Sequence, residues 1–520
     1  MSYRLGIDVG GTNTDAVILD VNDRVVAKAK RPTTEDISSG IREAVDAVLA
    51  ESQIDPTHIV NAMLGTTHST NAIVERRGLS KIGMLRLCAP SGLGVPPFLD
   101  WPPDIIPHLG KHFEMVKGGY EYNGTPLAQP DSGEIRQALE RLGEKKIEAL
   151  AVSCVFSPVN NDQELLVRGI AEEVFGKSLP VSLSSEIGSI GILERENATI
   201  LNAAILKIAS NAYVSFQNVL LEHGVKANLF ITQNDGTLMA VDYARLYPVF
   251  TIASGPTNSL RGAAFLSGLS DAVVVDVGGT TTDVGILKSG FPRESTTAVE
   301  IGGVRTNFRM PDLISIGLGG GSLVKAEEDV VRVGPESVGY RITREARVFG
   351  GNTLTATDIA VAAGMADIGD PQSVKDLDRG LLRRAGERIK GMVEEVIDRM
   401  KTTSEDIPVV TVGGGSILLP NTLKGASKVS KPENFEVANA IGAAISQISG
   451  SIDGVFDVAS KGREAVIDEV KDAAVQEAVK AGADSKTVEI VELEEIPLAY
   501  LPSNAVRFRV KAVGKLKKGW

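Results

Sequence analysis

Asp8-Val9-Gly10-Gly11-Thr12-Asn13-Thr14-Asp15 returns as Asp276-Val277-Gly278-Gly279-Thr280-Thr281-Thr282-Asp283, with only the sixth position changed. Each copy follows a short apolar run (Arg4 to Ile7; Ala272 to Val275) and precedes another (Ala16 to Leu19; Val284 to Leu287). Strand, Gly-Gly turn, strand is the pattern of a β-hairpin. Glycine lets backbone N–H groups approach an anion, and threonine hydroxyls add donors. An aspartate ending the first strand can hold a cation, directly or through water. Two such hairpins face to face can grip a polyphosphate from both sides while Asp8 and Asp276 hold Mg²⁺. A lone Asp-x-Gly-Gly turn is common. Two in equivalent settings, one opening each half of the chain, point to nucleotide binding.

A chain of 520 residues exceeds what one core organises, so two large domains and an appendage are expected. Hydrophobic content of 43% with 23% charged residues reads as globular, and 5% aromatics with 54 glycines predicts an aliphatic, tightly turned core. The net charge of −12 argues against nucleic acid or an anionic membrane as principal partner. Cys88 and Cys154 lack metal-ligand spacing and read as small buried residues of a reduced cytoplasmic protein. No signal peptide or membrane-length apolar run is evident.

The periodicities divide the chain into a first half over 1–185, a second over 186–452 and a small α+β appendage over 453–520. Ser38 to Gln53, Asp162 to Phe175, Ile192 to Leu221, Leu377 to Thr402 and Arg463 to Lys480 carry helical patterns. Residues 91–134, rich in Pro and Gly, read as an irregular insertion or surface hairpin, where a metal pair from His108 and His112 is disfavoured. Alternation of helix and strand elsewhere predicts an α/β fold with mixed or parallel sheets. Gly65-Thr66-Thr67-His68-Ser69-Thr70-Asn71 runs into a helix start, either an anion site or an ordinary N-cap cluster.

No Gly-x-x-x-x-Gly-Lys-Ser/Thr loop is present, and no Gly-x-Gly-x-x-Gly opens a first strand-helix unit. The remaining architecture has two similar halves with a nucleotide in the cleft between them. Gly413-Gly414-Gly415-Ser416, after the late strand Val409 to Val412, then supplies flat backbone against base and ribose. Gly414 is expected to need a positive φ or a close approach. Ser254-Gly255-Pro256 is expected to cap a helix near the second hairpin.

The paired Asp-x-Gly-Gly-Thr-x-Thr-Asp phrases with a late Gly-Gly-Gly loop resemble the actin, heat-shock ATPase and sugar-kinase superfamily, with two actin-like (ribonuclease H-like) halves. Gly65-Thr66-Thr67, Thr70-Asn71-Ala72, Glu194-Arg195, Thr199, Asn202-Ala203, Ser254-Gly255-Pro256 and Ile316-Gly317-Leu318-Gly319-Gly320-Gly321-Ser322 narrow this further. They resemble the hydantoinase/oxoprolinase family over roughly residues 3–420. The resemblance implies ATP-dependent opening of a cyclic amide, or ATP-dependent activation of a carbonyl compound for carboxylation. It also implies a second, hydantoinase B-like subunit; a homo-oligomer is a further arrangement. A small-molecule kinase and an ATP-driven reactivating or chaperone-like protein are the rival readings.

In that frame Asp8 and Asp276 are the catalytic and Mg²⁺-holding residues. Gly10, Gly11, Thr12, Gly278, Gly279 and Thr280 cradle phosphates, and Gly413, Gly414 and Gly415 contact adenosine. Thr14, Asp15, Thr282 and Asp283 lock the hairpins. Thr66, Thr67, Asn71, Glu194, Arg195 and Asp312 are the substrate-side candidates, with a helix ion pair as the plain alternative for Glu194 and Arg195. One departure stands out: where the family usually has His two residues after Asp312, this chain has Ile314. The family's long C-terminal region also looks abbreviated.

Overall fold

Two sheets, of nine and six strands, grow outward from the repeated hairpins in the computed structural model, which describes residues 2–33, 37–295, 299–307, 310–327, 330–498 and 505–517. In the first, Tyr3–Val9 pairs antiparallel with Asn13–Leu19, which pairs with Val25–Pro32; on its other side it runs parallel to Ile59–Thr66 and then Asn228–Thr232. The second sheet repeats that order. Ala272–Val277 pairs antiparallel with Thr282–Lys288, whose far edge takes Phe291–Pro292 and Leu313–Ile316. Its parallel neighbours are Ile407–Val412 and Ala426–Ser430. The chain thus has the expected actin-like pair of α/β halves.

Strands flanked on both faces read as near-continuous apolar runs, and Val273, Val274 and Val275 are fully buried. The helices Ile37–Ser52 and Ile192–Glu222 cover the first sheet through Val45 and Phe216 against Leu5, Ile7 and Ile231. Arg379–Met400 does the same for the second through Ile389 and Val393 against Val275 and Val409.

Sheet pairing crosses both boundaries expected from sequence. Asn228–Thr232 and Thr237–Ala240, beyond residue 185, belong to the first sheet. Gln447–Asp457 then joins that sheet and carries Ala505–Gly514 and Glu489–Pro497 with it, across residue 452. The expected appendage is therefore an extension of the first sheet. A lone hairpin is marginal in water, and this one gains its stability by continuing a larger sheet and burying Phe508 and Val510 beneath the helix Arg463–Lys480.

Residues 91–134 also differ from expectation. His112–Lys117 joins Ile82–Ala89 in a four-stranded parallel sheet with Ala149–Cys154 and Val181–Leu183. His108 sits in the short helix Ile106–Leu109 and His112 in that strand; no cluster of three or more potential metal ligands occurs among the described residues. Cys88 and Cys154 are free and buried. No helix among the described residues is long and apolar enough to cross a membrane.

Two helices cross between the halves, Ser254–Ser267 and Ala438–Ile445. A Cβ on Gly262 would collide with the Ala438 carbonyl, and one on Gly442 with the Asn258 carbonyl. Only hydrogen at these positions permits so close a crossing.

Candidate functional site

The hairpins are superimposable in pattern. Asp8 lies across from Asp15 and Asp276 across from Asp283. Each turn closes by one backbone bond, Gly10 N–H to Asn13 O at 3.0 Å and Gly278 N–H to Thr281 O at 2.9 Å. The tips meet: Thr12 Oγ1 and Thr280 Oγ1 are 3.3 Å apart, and a Cβ at Gly279 would strike the Thr12 side chain. Phosphate-binding candidates from opposite halves thus share one cleft.

One helix serves both carboxylates. Asn258 Nδ2 donates to Asp8 Oδ1 at 3.0 Å, and the next residue, Ser259, hydrogen-bonds Asp276. The crossing helix adds Asn439, whose Nδ2 donates to Asp8 Oδ2 at 3.0 Å. Asp8 is 2% exposed. Burial pushes its carboxyl up to about 7, against the lowering effect of the Asn258 amide, with Asp15 pushing it further up. Burial also raises Asp276, offset by Ser259. Asp15 is raised by burial and moderated by Lys30, whose Nζ donates to Oδ2 at 2.7 Å. Asp283 is pushed up to about 6 by burial, moderated by the Ser315 hydroxyl.

The glycine loops divide the labour. Gly65 lies in register with Asp8 on the parallel strand, so close that a Cβ would meet Asp8 Oδ1 and the Asn258 amide. Thr66 is buried, Thr67 Oγ1 donates to Val9 O at 3.3 Å, and Asn71 Nδ2 donates to Thr67 Oγ1 at 3.4 Å. These three candidates therefore stand beside the first hairpin. Ser254 Oγ donates to Thr66 O at 3.4 Å, so Ser254-Gly255-Pro256 starts its helix against this threonine loop of the first half. It makes no side-chain cap, contrary to expectation.

Gly413, one residue past the Val412 that lies in register with Asp276, makes the like contact in the second half, where a Cβ would meet Asp276 Oδ1 and the Val277 carbonyl. The positive φ expected of Gly414 belongs instead to Gly413, at 81°. A Cβ at Gly414 meets no described atom within 4 Å, so this glycine faces open space, whereas Gly415 abuts the Gly278 carbonyl. Gly320 N–H and Gly321 N–H donate to Gly278 O at 3.0 Å and Gly279 O at 2.7 Å. That third glycine loop is spent on buttressing the second hairpin.

Three candidates are held elsewhere by partners of their own. Glu194 pairs with Arg305 of the strand Val304–Thr306 at 3.2 Å, an ion pair between distant elements where one along the helix was the plain alternative. Arg195 is buried and donates to Ser184 Oγ, Ser189 O and Cys154 O at 3.0, 3.0 and 2.6 Å. Asp312 pairs with Arg293 at 2.6 Å. Ile314 packs against the core of the second half. Asn258, Ser259, Asn439 and Lys30 were not singled out from sequence. A lone Asn in the apolar run Ala438-Asn439-Ala440-Ile441 was the available signal.

Family profiles described as the hydantoinase/oxoprolinase N-terminal region and as hydantoinase/oxoprolinase match residues 4–175 and 195–370. The chain belongs to the hydantoinase/oxoprolinase family. Within it, the chain is 28% identical to the acetophenone carboxylase gamma subunit of Aromatoleum aromaticum, over 69% of this chain and 53% of that one. It is 26% identical to the caprolactamase subunit alpha of Pseudomonas jessenii, over 70% of this chain and 54% of that one. The chain thus spans about half the length of these curated relatives. Two family structures share its fold. The ATP-dependent caprolactamase from Pseudomonas jessenii gives a TM-score of 0.77 at 19% identity, covering 99% of this chain and 88% of that one. A nucleotide-free acetone carboxylase gives 0.72 at 18%, with the same coverage.

Proposed function

We propose that this chain is the nucleotide-binding subunit of an ATP-dependent enzyme that phosphorylates the carbonyl oxygen of a cyclic amide ahead of ring opening. The observation that carries the reading is the meeting of two hairpins, each ending its first strand in a buried or half-buried aspartate, in one cleft. The relatives support the ATP dependence through the named caprolactamase and acetone carboxylation.

Asp8 and Asp276 are hard oxygen donors, the set that Mg²⁺ takes when one or two carboxylates and the substrate phosphates share its shell. Their raised carboxyls fit a cation that would hold them ionised. Bound Mg²⁺ would neutralise charge on the transferring phosphate. Asn258 and Asn439 fix the Asp8 carboxylate in one orientation. The Gly10–Thr12 and Gly278–Thr280 turns present N–H and hydroxyl donors, and Gly414 leaves room for adenosine. The amide oxygen attacks the γ-phosphorus, the bond to ADP breaks, and water adds at the carbon of the O-phosphorylated amide. The ring nitrogen then takes a proton and leaves as the amine, which opens the ring to an acyl phosphate, and a second water hydrolyses this to carboxylate and phosphate. Positioning and charge neutralisation are the tasks left to the protein.

Carboxylation of a ketone, through the same phosphorylation of a carbonyl or enolate oxygen, has equal support from the relatives. A second subunit belongs to either reading, since the relatives are named as subunits. The experiment is ATP hydrolysis measured with cyclic amides and, separately, with ketones plus bicarbonate, with and without a co-expressed partner. Amide-stimulated turnover with ring-opened product is expected. Stimulation only by ketone and bicarbonate replaces the hydrolase by the carboxylase, and a released phosphorylated substrate replaces both by a kinase.

A further inference from the structure

Asp8 does not stand alone on its sheet. Asp15 lies opposite it on the neighbouring strand, and Lys30 of Val25–Pro32 lies opposite Asp15 on the next. Residues directly opposite in a sheet share a face, so the side chains of Asp8, Asp15 and Lys30 form a row. The second half repeats the row as Asp276, Asp283 and Ser315. A hydroxyl stands there at the place where the first half has an ammonium.

The face that carries Lys30 looks toward the second half. Lys28, two residues back and on the same face, donates to Asn434 Oδ1 at 2.8 Å and to Glu436 Oε1 at 2.5 Å, both of the second half. Lys30 makes no such bridge. Among the described residues its ammonium bonds Asp15 alone, 2.5 Å from Oδ1 and 2.7 Å from Oδ2. The Lys30 side chain is 30% exposed, while that of Asp15 is 2% exposed. The carboxylate is sealed in and the ammonium is not.

The strand of Lys30 is also fastened to the phosphate turn. Just past its end, Thr33 N–H donates to Thr12 O at 2.9 Å and Thr33 Oγ1 donates to Gly10 O at 2.7 Å. The lysine therefore keeps its place relative to Gly10–Thr12. Asn439, which donates to Asp8, also hydrogen-bonds Asp15, so one amide spans from the Asp8 carboxylate to the partner of Lys30. The charge of Lys30 is felt across the cleft as well. Burial raises the Asp276 carboxyl, and the Ser259 hydroxyl and then the Lys30 ammonium draw it back. Among the described residues, Asp8, Asp276 and Asp283 take only amide and hydroxyl bonds from side chains, which leaves Lys30 as the cation of the group.

A lysine ammonium is a point charge with several donors on a flexible stem, a form suited to binding phosphate. Phosphoryl transfer spreads charge over the equatorial oxygens of the moving group, and a preorganised cation beside them lowers the barrier. We infer that Lys30 is a catalytic residue of this transfer, its ammonium bridging Asp15 and a γ-phosphoryl oxygen of ATP. Asp15 is then its positioning residue, and Ser315 leaves the second half without a counterpart. The inference rests on the phosphoryl-transfer reading of the cleft and adds a residue to it. The bond from the γ-phosphorus to ADP breaks as the bond to the acceptor oxygen forms. Lys30 keeps its proton throughout.

Titration calorimetry of the full chain with MgADP and with the Mg²⁺ complex of β,γ-imido-ATP tests it, because only the second ligand carries the phosphoryl group that Lys30 would touch. Lys30→Met should weaken binding of the ATP analogue at least about tenfold and leave MgADP affinity unchanged, which also reports a folded cleft. Asp15→Asn combined with Lys30→Met removes the buried charge together with its partner, should keep the fold and should show the same selective loss. Lys28→Met, which removes a neighbouring charge from the same face, should leave the ratio of the two affinities unaltered. ATP turnover should fall about a hundredfold in Lys30→Met. Equal losses for both nucleotides in both Lys30 variants reduce the lysine to a structural part and overturn the inference. An unchanged analogue affinity overturns it too, as does a ratio shifted as far by Lys28→Met. Wild type that binds neither nucleotide overturns the function proposed for the cleft itself.

Discussion

The two hairpins share register, turn and composition, yet their aspartates live in different surroundings. Asp8 is sealed in and gripped at each oxygen by an asparagine amide from a different helix. Asp276 is only partly covered and takes its side-chain bond from Ser259. The companions differ too: Asp15 has the Lys30 ammonium, while Asp283 has the Ser315 hydroxyl. Repetition built the backbone twice, and the two crossing helices then specialised each copy. The first carboxylate is held at both oxygens, and the second, next to Gly413, takes a hydroxyl partner and stays partly exposed.

That asymmetry is breakable. Asp8→Asn should lower ATP turnover about a thousandfold, the loss typical when a preorganised group at developing charge is removed. Circular dichroism should show the fold retained. Asp276→Asn should cost less, about a hundredfold, because its environment can rearrange around waters. Equal losses, or a larger loss at Asp276, would erase the distinction between a fixed and an adaptable carboxylate.

Gly414→Val should weaken ATP binding about tenfold, or roughly 1.4 kcal/mol, with little change in thermal stability, since its Cβ enters open space. Gly413→Val should instead destabilise the protein, because its φ of 81° and its contact with Asp276 both exclude a side chain. ATP affinity indifferent to Gly414→Val would move adenosine away from this loop. It could not move to Gly319–Gly321, which is occupied by the second hairpin.

A further comparison concerns pH. Asp8, raised from 3.8 to about 7 in the folded chain, binds a proton that the unfolded chain has already lost between those values. The folded state then holds more protons, so nucleotide-free stability should fall as pH rises from about 4 to 7 and level off above. Urea denaturation across this range measures it. Asn439→Ala, which removes one bond to the ionised form, should push the Asp8 carboxyl still higher and extend the decline above pH 7. A profile identical to wild type would mean that the second amide contributes nothing to holding the charge.

Both hairpins, the long helices and the glycine loop at Gly413 were legible because each is local: alternation, helical periodicity or a turn signal falls within a few residues. The helix Asp162–Phe175 has the very ends read from its periodicity. Partners of Asp8 were not legible, lying 250 and 431 residues away in sequence. The same blindness hid the route of the chain after residue 452, where a local strand pattern says nothing about which sheet edge it will extend. Residues 91–134 misled for another reason. Proline and glycine mark turns, and they concealed the short strand His112–Lys117 between them.

By itself, the sequence determined that two β-hairpins of one design would recur in two α/β halves, because Gly-Gly turns between apolar runs admit few backbone solutions. Tertiary structure decided which hairpin holds its carboxylate rigidly, which glycine loop faces open space and which one is a buttress. Those outcomes depend on burial and on hydrogen bonds between distant elements, set only when the helices Ser254–Ser267 and Ala438–Ile445 cross at Gly262 and Gly442. The close approach allowed by the two glycines brings Asn258 and Asn439 to opposite oxygens of Asp8.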